Sequence, residues 1–256
     1  MQKKIEGSDL LALFLDYDGT LVPFKDRPGD AVATDDLREV LRALVRDPKC
    51  TVAIISGRPV GELKKMLSVE GLSLAGLHGL QISFSDGGSF VWERARETKA
   101  SIDEIKRRVI RELGDEGGLY IEDKELTLAL HHRLVPRERV ERVRENIIDI
   151  AKDYVGDELE VMHGVEVLEV RPRGWHKGKA VEKFFNRFLP KDKKILPLYL
   201  GDDLTDEDAF LYLKDRGVTI LVSSDLSRPT AAGFYLRDVQ EVLKFLRWIT
   251  RIRGGV

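Results

Sequence analysis

One stretch constrains the fold more than any other: an unbroken apolar run at residues 10–15 leads directly into Asp-Tyr-Asp-Gly-Thr-Leu at residues 16–21. Such a run predicts a buried strand of a parallel sheet, and parallel sheets carry their working residues at the carboxyl ends of strands. Because alternate residues of a strand share a face, we expect the carboxylates of Asp16 and Asp18 to converge. Paired carboxylates suit a nucleophile beside a general acid/base, or a shared Mg2+ site. An acidic turn after a strand is the alternative interpretation.

Composition and charge exclude several classes of protein. A chain of 256 residues can bury a full core in one or two domains. A net charge of -2 gives no basic excess for nucleic acid and no charge block for a membrane surface. A single cysteine excludes an intramolecular disulfide, and no apolar run reaches transmembrane length. We therefore expect a soluble, cytoplasmic protein, with a monomer as the default.

A second apolar run, at residues 51–55, predicts another buried strand, and Ser-Gly-Arg-Pro follows it at residues 56–59. A helix is predicted over residues 60–67, and its positive end would lie close to Ser56. The Ser56 hydroxyl is therefore a candidate for binding a phosphate oxygen, although an ordinary helix cap is the alternative. The planar fork of Arg58 suits either a carboxylate or a phosphate as its partner.

The pattern of the chain changes twice. Between residues 81 and 171, short strands alternate with two helical patterns, an order typical of an α+β module with antiparallel strands. On both sides of this segment, longer apolar strands alternate with helices. The sequence therefore predicts a discontinuous core, residues 1–80 and 172–256, with a doubly wound, mostly parallel α/β sheet. The segment 81–171 would form a second domain inserted into that core.

A further acidic group, Asp202, Asp203 and Asp206, follows the strand predicted at residues 195–200. These carboxylates would join the first acidic pair at one edge of the sheet, where crowding raises pKa values unless a cation is present. Mg2+ suits a site made of oxygen ligands. The preference for acids at a helix start explains Asp206, but it does not explain Asp202 and Asp203. Lys177 opposes the dipole of the helix that it begins, which an anion beside it would resolve; a solvent-facing lysine is the alternative.

Together these motifs resemble those of the haloacid dehalogenase-like phosphatases, whose core is Rossmann-like. Over nearly the whole chain the resemblance is to the trehalose-6-phosphate phosphatases. It rests on the two acidic motifs, Ser-Gly-Arg at 56–58, Leu-His-Gly at 77–79, Glu-Asp-Lys at 122–124, His-His-Arg at 131–133, Glu-Val-Arg-Pro at 169–172 and Lys-Gly at 177–178. The core motifs indicate a phosphatase, and the others carry the trehalose assignment.

The resemblance implies hydrolysis of trehalose 6-phosphate in two steps with Mg2+. Asp16 would attack phosphorus and form a phosphoaspartyl enzyme, while Asp18 would protonate the leaving sugar and then activate water. Ser56 and Lys177 would complete the catalytic set. The metal candidates are Asp16, Asp18, Asp202, Asp203 and Asp206. The substrate-binding candidates are Arg58, His78, Glu122, Lys124, His131, Arg133, Glu169 and Arg171. The alternatives are a turn pair for Glu122 and Lys124, a satisfied strand residue for His131, and a structural salt bridge between Arg133 and Glu169.

Two other functions remain open at this point. The chain could be another sugar phosphatase of the same branch, acting on mannosyl-3-phosphoglycerate or a hexose phosphate. It could also be a catalytically silent regulatory module that binds a sugar phosphate. The complete set of catalytic residues argues against a silent module, because binding alone does not need a nucleophile beside an acid/base.

Overall fold

The computed structural model describes residues 1–25, 28–188, 190 and 192–254. The chain divides into two compact units. The core unit comprises Met1–Phe90 and His176–Val256, and the insert comprises Val91–Trp175. Within the described residues, none of the helices has both the length and the apolar composition that a membrane span requires.

Strands and helices alternate along most of the chain. The strands are β1 Leu10–Leu15, β2 Cys50–Ile55, β3 Ser73–Gly76, β4 Gln81–Ser83, β5 Ser89–Val91, β6 Tyr120–Asp123, β7 Leu128–His131, β8 Leu159–Gly164, β9 Val167–Pro172, β10 Ile195–Gly201, β11 Val218–Val222 and β12 Phe234–Leu236. The helices are α1 Gln2–Glu6, α2 Asp35–Arg46, α3 Val60–Leu67, α4 Glu93–Glu97, α5 Lys99–Leu113, α6 Arg137–Ala151, α7 Lys177–Phe188, α8 Glu207–Leu213 and α9 Val239–Gly254.

The core unit is built on one sheet with the strand order β12-β11-β10-β1-β2-β3-β4-β5. The pairs from β12 through β3 are parallel, and β4 runs antiparallel to β3. Strand β1 lies in the middle, where Leu13 is in register with Leu198 of β10 and Val52 of β2. This sheet, with the separate α+β insert, confirms the predicted fold class.

Strand β1 supplies side chains to a core on each side of the sheet. Its odd-numbered leucines face a core formed with α2, α3 and α9, whereas Ala12 and Phe14 face a second core formed with α7 and α8. This division follows from the two-residue period of a strand. Asp16 lies on the same side of the strand path as Ala12 and Phe14. Its carboxylate is therefore directed toward the face of the sheet that α7 covers.

Helix α2 begins and packs as local sequence signals predict. The Thr34 hydroxyl accepts a hydrogen bond from the Leu37 amide at 3.3 Å, so it caps the helix. Leucine and valine side chains recur every three or four residues along the helix and are buried against the sheet. The cap and the apolar stripe together fix both the start of α2 and the face that it buries.

The insert contains an antiparallel sheet with the order β6-β7-β9-β8. Apolar side chains on one face, including Leu128, Leu130 and Val170, pack against α5 and α6. On the other face the register places Glu122 opposite Ala129, and Ala129 opposite Glu169. Polar residues therefore collect on the face turned away from the helices.

The expected boundaries of the insert, residues 81 and 171, differ from those of the structure. The compact unit begins at Val91 and ends at Trp175. The hairpin of β4 and β5 continues the core sheet beyond β3, so it belongs to the core although its antiparallel direction resembles the insert. At the other end, β9 extends to Pro172, and the Arg173 amide still donates to the Glu158 carbonyl at 2.8 Å.

Candidate active site

The first acidic pair leaves the carboxyl end of β1, as predicted. The amide of Asp16 donates to the Leu200 carbonyl of β10 at 2.9 Å, and its side chain is buried. Gly19 follows with φ of 85°, and a Cβ on this residue would lie 2.2 Å from an Asp202 carboxylate oxygen. Glycine is therefore needed both for the left-handed turn and for the close approach of the two acidic loops.

A buried ion-pair network joins the two acidic motifs. The Lys177 ammonium donates to Asp16 Oδ1 at 2.8 Å and to Asp206 Oδ1 at 2.7 Å. The Lys177 side chain is only 2% exposed and Asp206 is fully buried. Two carboxylates thus lie beside the ammonium at the start of α7, where the sequence left open either an anion or solvent around Lys177.

Asp206 organises the loop that carries the other two acids. Its Oδ2 accepts the backbone amides of Asp202 and Asp203, at 2.9 and 3.0 Å, and its Oδ1 also accepts the Tyr199 hydroxyl at 2.7 Å. With Lys177 included, the carboxylate has four donors, which is about its full accepting capacity. Asp206 therefore holds the loop through Oδ2 and ties it to Lys177 and Tyr199 through Oδ1.

Burial and mutual repulsion determine the charges in the site. Burial raises the pKa of Asp16 well above its usual value, and Asp202 and Asp203 add to this effect while Lys177 opposes it. Burial, with repulsion from Asp206 and Asp203, raises the pKa of Asp202 to about 7. Burial alone would lower the pKa of Lys177, but the carboxylates of Asp16 and Asp206 outweigh it and raise that pKa. Lys177 therefore keeps its charge, and the raised pKa values of the acids show that this single ammonium does not offset all the carboxyl groups around it.

The predicted metal candidates fall into two groups. Oxygens of Asp16, Asp202 and Asp206 lie within 4.8 Å of one another and could hold a metal ion. Such an oxygen-only set with excess negative charge fits a hard divalent cation. Asp203 instead caps the turn after β10, where its Oδ1 accepts the Thr205 amide and hydroxyl at 2.9 and 2.6 Å. The Asp18 carboxylate faces Arg58.

The residues after β2 lie next to this acidic site. Arg58 binds both oxygens of Asp18 at 2.7 Å, and Ser56 Oγ accepts the Arg58 amide at 3.2 Å. His78 is buried with φ of 58°, and its ring lies 3.0 Å from where a Cβ on Gly57 would be. The core-unit candidates Ser56, Arg58 and His78 are thus packed together, and their contact with a substrate remains a prediction.

Four of the candidates in the insert form one polar cluster on the helix-free face of its sheet. His131 Nε2 lies 2.8 Å from Glu122 Oε2, and the Lys124 ammonium lies 3.8 Å from both Glu122 and Glu169. Thr127 donates to Glu169 at 2.6 Å. These four residues, Glu122, Lys124, His131 and Glu169, form the polar cluster, in which two carboxylates lie 3.8 Å from one ammonium.

The other two candidates in the insert have different partners. Arg133 Nε lies 2.5 Å from Glu166 Oε2 on the turn between β8 and β9. Arg171 Nε donates to Glu160 at 2.8 Å across the β8–β9 pair. Arg133 therefore pairs with Glu166 and not with Glu169, the partner that the sequence left open. A role of either arginine in substrate binding remains a prediction.

Some residues of these networks were not among the sequence-based candidates. Tyr199 and Thr20 bind the acidic side chains, Arg228 Nη1 donates to the Asp202 carbonyl, and Thr127 binds Glu169. Of these, Thr20 had a local signal because it lies within the first acidic motif, whereas Tyr199 lies in the apolar run of β10 and had none. The contacts of Arg228 and Thr127 depend on tertiary packing.

Comparison with known proteins gives the family. Residues 14–240 match the protein family described as trehalose-phosphatase. The chain belongs to the trehalose-phosphatase family. It is 33% identical to trehalose 6-phosphate phosphatase of Zea mays, over 96% of this chain and 71% of that protein. It is 35% identical to a probable trehalose-phosphate phosphatase of Oryza sativa subsp. japonica, over 93% of this chain and 67% of that protein. Membership of this family implies a sugar phosphate as the substrate.

Solved structures agree with this assignment. The C-terminal domain of the C. albicans trehalose-6-phosphate phosphatase superposes with a TM-score of 0.82 at 26% identity, covering 98% of this chain and 95% of that one. The C-terminal domain of a Candida albicans trehalose synthase regulatory protein has a TM-score of 0.73 at 16% identity, covering 93% of each chain. The second likeness shows that a regulatory protein can share this fold, so the function depends on the residues of the site.

Proposed function

We propose that this chain is a Mg2+-dependent phosphatase that hydrolyses trehalose 6-phosphate to trehalose and phosphate through a phosphoaspartyl intermediate. The observation that carries the proposal is the buried contact of Asp16 with Lys177 at the end of β1, within 4.8 Å of Asp202 and Asp206 oxygens. A carboxylate placed beside a fixed cation is suited to attack an anionic phosphate, because the ammonium offsets the repulsion.

In the first step, Asp16 attacks phosphorus. A bond forms between its carboxylate oxygen and phosphorus while the bond from phosphorus to the sugar oxygen breaks, and the electron pair leaves with that oxygen. Asp18 supplies the proton that the sugar oxygen takes up, so the sugar leaves as an alcohol. Lys177 keeps Asp16 oriented and offsets the negative charge of the phosphate.

In the second step, water removes the phosphoryl group. Asp18, now ionised, accepts a proton from the water as its oxygen attacks phosphorus, and the bond to Asp16 breaks. The Asp16 carboxylate is restored and inorganic phosphate leaves. A bound Mg2+, held by Asp16, Asp202 and the backbone carbonyl of Asp18, would supply positive charge to the phosphate oxygens. Asp203 and Asp206 would keep this ligand loop in place.

The polar cluster of the insert is the proposed source of selectivity for the sugar. Carboxylates and an ammonium on one face of a sheet suit the hydroxyl groups of a disaccharide. Replacing Glu169 by Gln keeps its size but removes the charge beside Lys124. We expect this variant to raise the KM for trehalose 6-phosphate while leaving hydrolysis of p-nitrophenyl phosphate unchanged. An equal loss with both substrates would contradict a sugar-binding role.

Phosphate release with Mg2+ tests the proposed function. The substrates are trehalose 6-phosphate, glucose 6-phosphate, sucrose 6-phosphate and mannosyl-3-phosphoglycerate, with Asp16→Asn as the inactive control. A strong preference for trehalose 6-phosphate, abolished in the variant, is expected. Preference for another substrate would keep the catalytic chemistry and overturn the sugar assignment, and binding without turnover would favour a regulatory module. A monomeric, cytoplasmic protein is also proposed, and light scattering in solution tests the monomer.

A further inference from the structure

We propose that Arg58 is a positioning residue for Asp18, acting through that carboxylate rather than by binding the substrate phosphate. The inference rests on the proposed function, in which Asp18 is the general acid/base. Arg58 Nε donates to Asp18 Oδ2 and Nη2 donates to Oδ1, each at 2.7 Å. A bidentate pair of this kind fixes the carboxylate plane as well as its distance, which a single hydrogen bond cannot do.

Arg58 is itself held at several points. Its amide donates to Ser56 Oγ at 3.2 Å, and its carbonyl accepts the Leu77 amide at 3.0 Å. Its guanidinium lies 5.7 Å from the centre of the Tyr17 ring, and the residue is only 8% exposed. A side chain fixed at its backbone and packed on an aromatic face can transmit that rigidity to the group it binds.

The ion pair with Arg58 leaves Asp18 able to exchange a proton with the substrate or with water. A carboxylate accepts about four hydrogen bonds, and the guanidinium of Arg58 occupies two of those positions. One lone pair on each carboxylate oxygen of Asp18 therefore remains for the sugar oxygen or for water. Because the guanidinium prevents rotation of the carboxylate, these remaining lone pairs keep one direction in both catalytic steps.

A direct role of Arg58 on the phosphate would have to use the N–H groups that Asp18 does not engage. Two nitrogens of the guanidinium donate to Asp18. The third, Nη1, has no hydrogen-bond partner among the described residues, but it is buried and lies 3.6 Å from the Glu62 carboxylate, one turn further along the chain, which repels an anion. Reaching the two nitrogens that bind Asp18 would require a phosphate to displace a carboxylate held at two points. The geometry therefore favours positioning over substrate binding.

The first test separates turnover from binding. For Arg58→Gln we expect the kcat on trehalose 6-phosphate to fall about 10²-fold, the scale set by a misplaced catalytic group. Its KM and its inhibition constant for inorganic phosphate should stay within about threefold of wild type, because ground-state binding is kept. Arg58→Lys, which retains the charge without the fork, should lose nearly as much. A rise in KM and in the phosphate inhibition constant, with kcat retained, would overturn the proposal.

A matched control comes from a second arginine of the core unit. Arg187 binds Asp86 through Nε and Nη2, at 3.1 and 2.8 Å, and its guanidinium lies 4.6 Å from the centre of the Phe84 ring. Both partners of this pair are more than 40% exposed. Arg187→Gln should therefore leave kcat unchanged. An equal loss in both variants would assign the effect to general destabilisation and contradict positioning.

The second test uses p-nitrophenyl phosphate, whose leaving group departs without a proton. Asp16 can then be phosphorylated without help from Asp18, so Arg58→Gln should keep the burst of nitrophenolate and lose only the later steady-state rate. In an Asp18→Asn background, Arg58→Gln should change neither phase further, since residues acting as one unit are not additive. A slowed burst, or a further loss in the double variant, would place Arg58 on the phosphate and refute the inference. If the wild type hydrolysed no trehalose 6-phosphate, the proposed function would fail while this test still decided the role of Arg58.

Discussion

Replacing Lys177 by Met should destabilise the core unit strongly. The variant keeps most of the side-chain volume but removes the ammonium that binds Asp16 at 2.8 Å and Asp206 at 2.7 Å. The two carboxylate side chains are 7% and 0% exposed, so water does not replace the lost partner. Removing one partner of a buried ion pair typically costs about 3–5 kcal/mol, because an uncompensated charge is left inside the protein.

The size of this loss should depend on pH. Burial raises the pKa of both Asp16 and Asp206, so each carboxyl binds a proton more readily in the folded than in the unfolded state. Once Lys177 is removed, protonation of Asp16 and Asp206 neutralises the two carboxylates that have lost their cation. The free energy of unfolding therefore falls as pH rises above the usual pKa range of a carboxyl group. Lys177→Met should therefore lose less stability at pH 5 than at pH 8.

Urea unfolding at the two pH values measures the effect, with fluorescence and circular dichroism recorded together because two units can unfold in separate transitions. Adding Asp206→Asn to Lys177→Met should recover part of the stability by removing one stranded charge. Arg247→Met is the control, since Arg247 and Asp36 form a pair at 2.8 Å whose side chains are 42% and 62% exposed. That control should cost less than about 1 kcal/mol. A comparably small loss for Lys177→Met at pH 8 would refute the account of the buried network.

Three further predictions concern the acidic loops. The pKa of about 7 for Asp202 means that the folded state binds a proton which the unfolded state has released, so the metal-free protein should lose stability from about pH 4 to pH 7. Mg2+ should then raise the Tm more at pH 8 than at pH 5, and an equal rise at both would contradict this. Tyr199→Phe removes one donor to Asp206 and should lower the free energy of unfolding by about 1.5 kcal/mol, measured in urea. Gly19→Ala would place a Cβ 2.2 Å from Asp202, so calorimetry should show weakened Mg2+ binding, and unchanged affinity would count against the close approach of the loops.

The acidic parts of the site could be predicted because their signals are local. Asp16 and Asp202 each follow an apolar run that forms a strand, and neighbouring parallel strands bring their carboxyl ends to one edge. The position of Lys177 opposite the helix dipole was consistent with either a neighbouring anion or a solvent-facing lysine, and the structure places Asp16 and Asp206 beside it. Pattern and strand topology were sufficient for these residues.

The supporting contacts could not be predicted in the same way. Tyr199 looked like an ordinary apolar member of β10, and only the structure shows its hydroxyl on Asp206. Arg228 lies 26 residues beyond Asp202, with no pattern that links them. The compact insert begins at Val91 rather than at the expected residue 81, because antiparallel direction alone does not say which sheet a hairpin extends. These features depend on how distant segments pack, which a single sequence does not specify.

Chemical trapping of the phosphoaspartyl intermediate decides whether Asp16 is the nucleophile. Enzyme turning over trehalose 6-phosphate with Mg2+ is quenched and treated with borohydride, which reduces a phosphoaspartyl group to homoserine, and the peptides are analysed by mass spectrometry. We expect this change at Asp16, dependent on trehalose 6-phosphate and weaker with glucose 6-phosphate. Turnover of trehalose 6-phosphate with an unmodified Asp16, or modification of another residue, would contradict it.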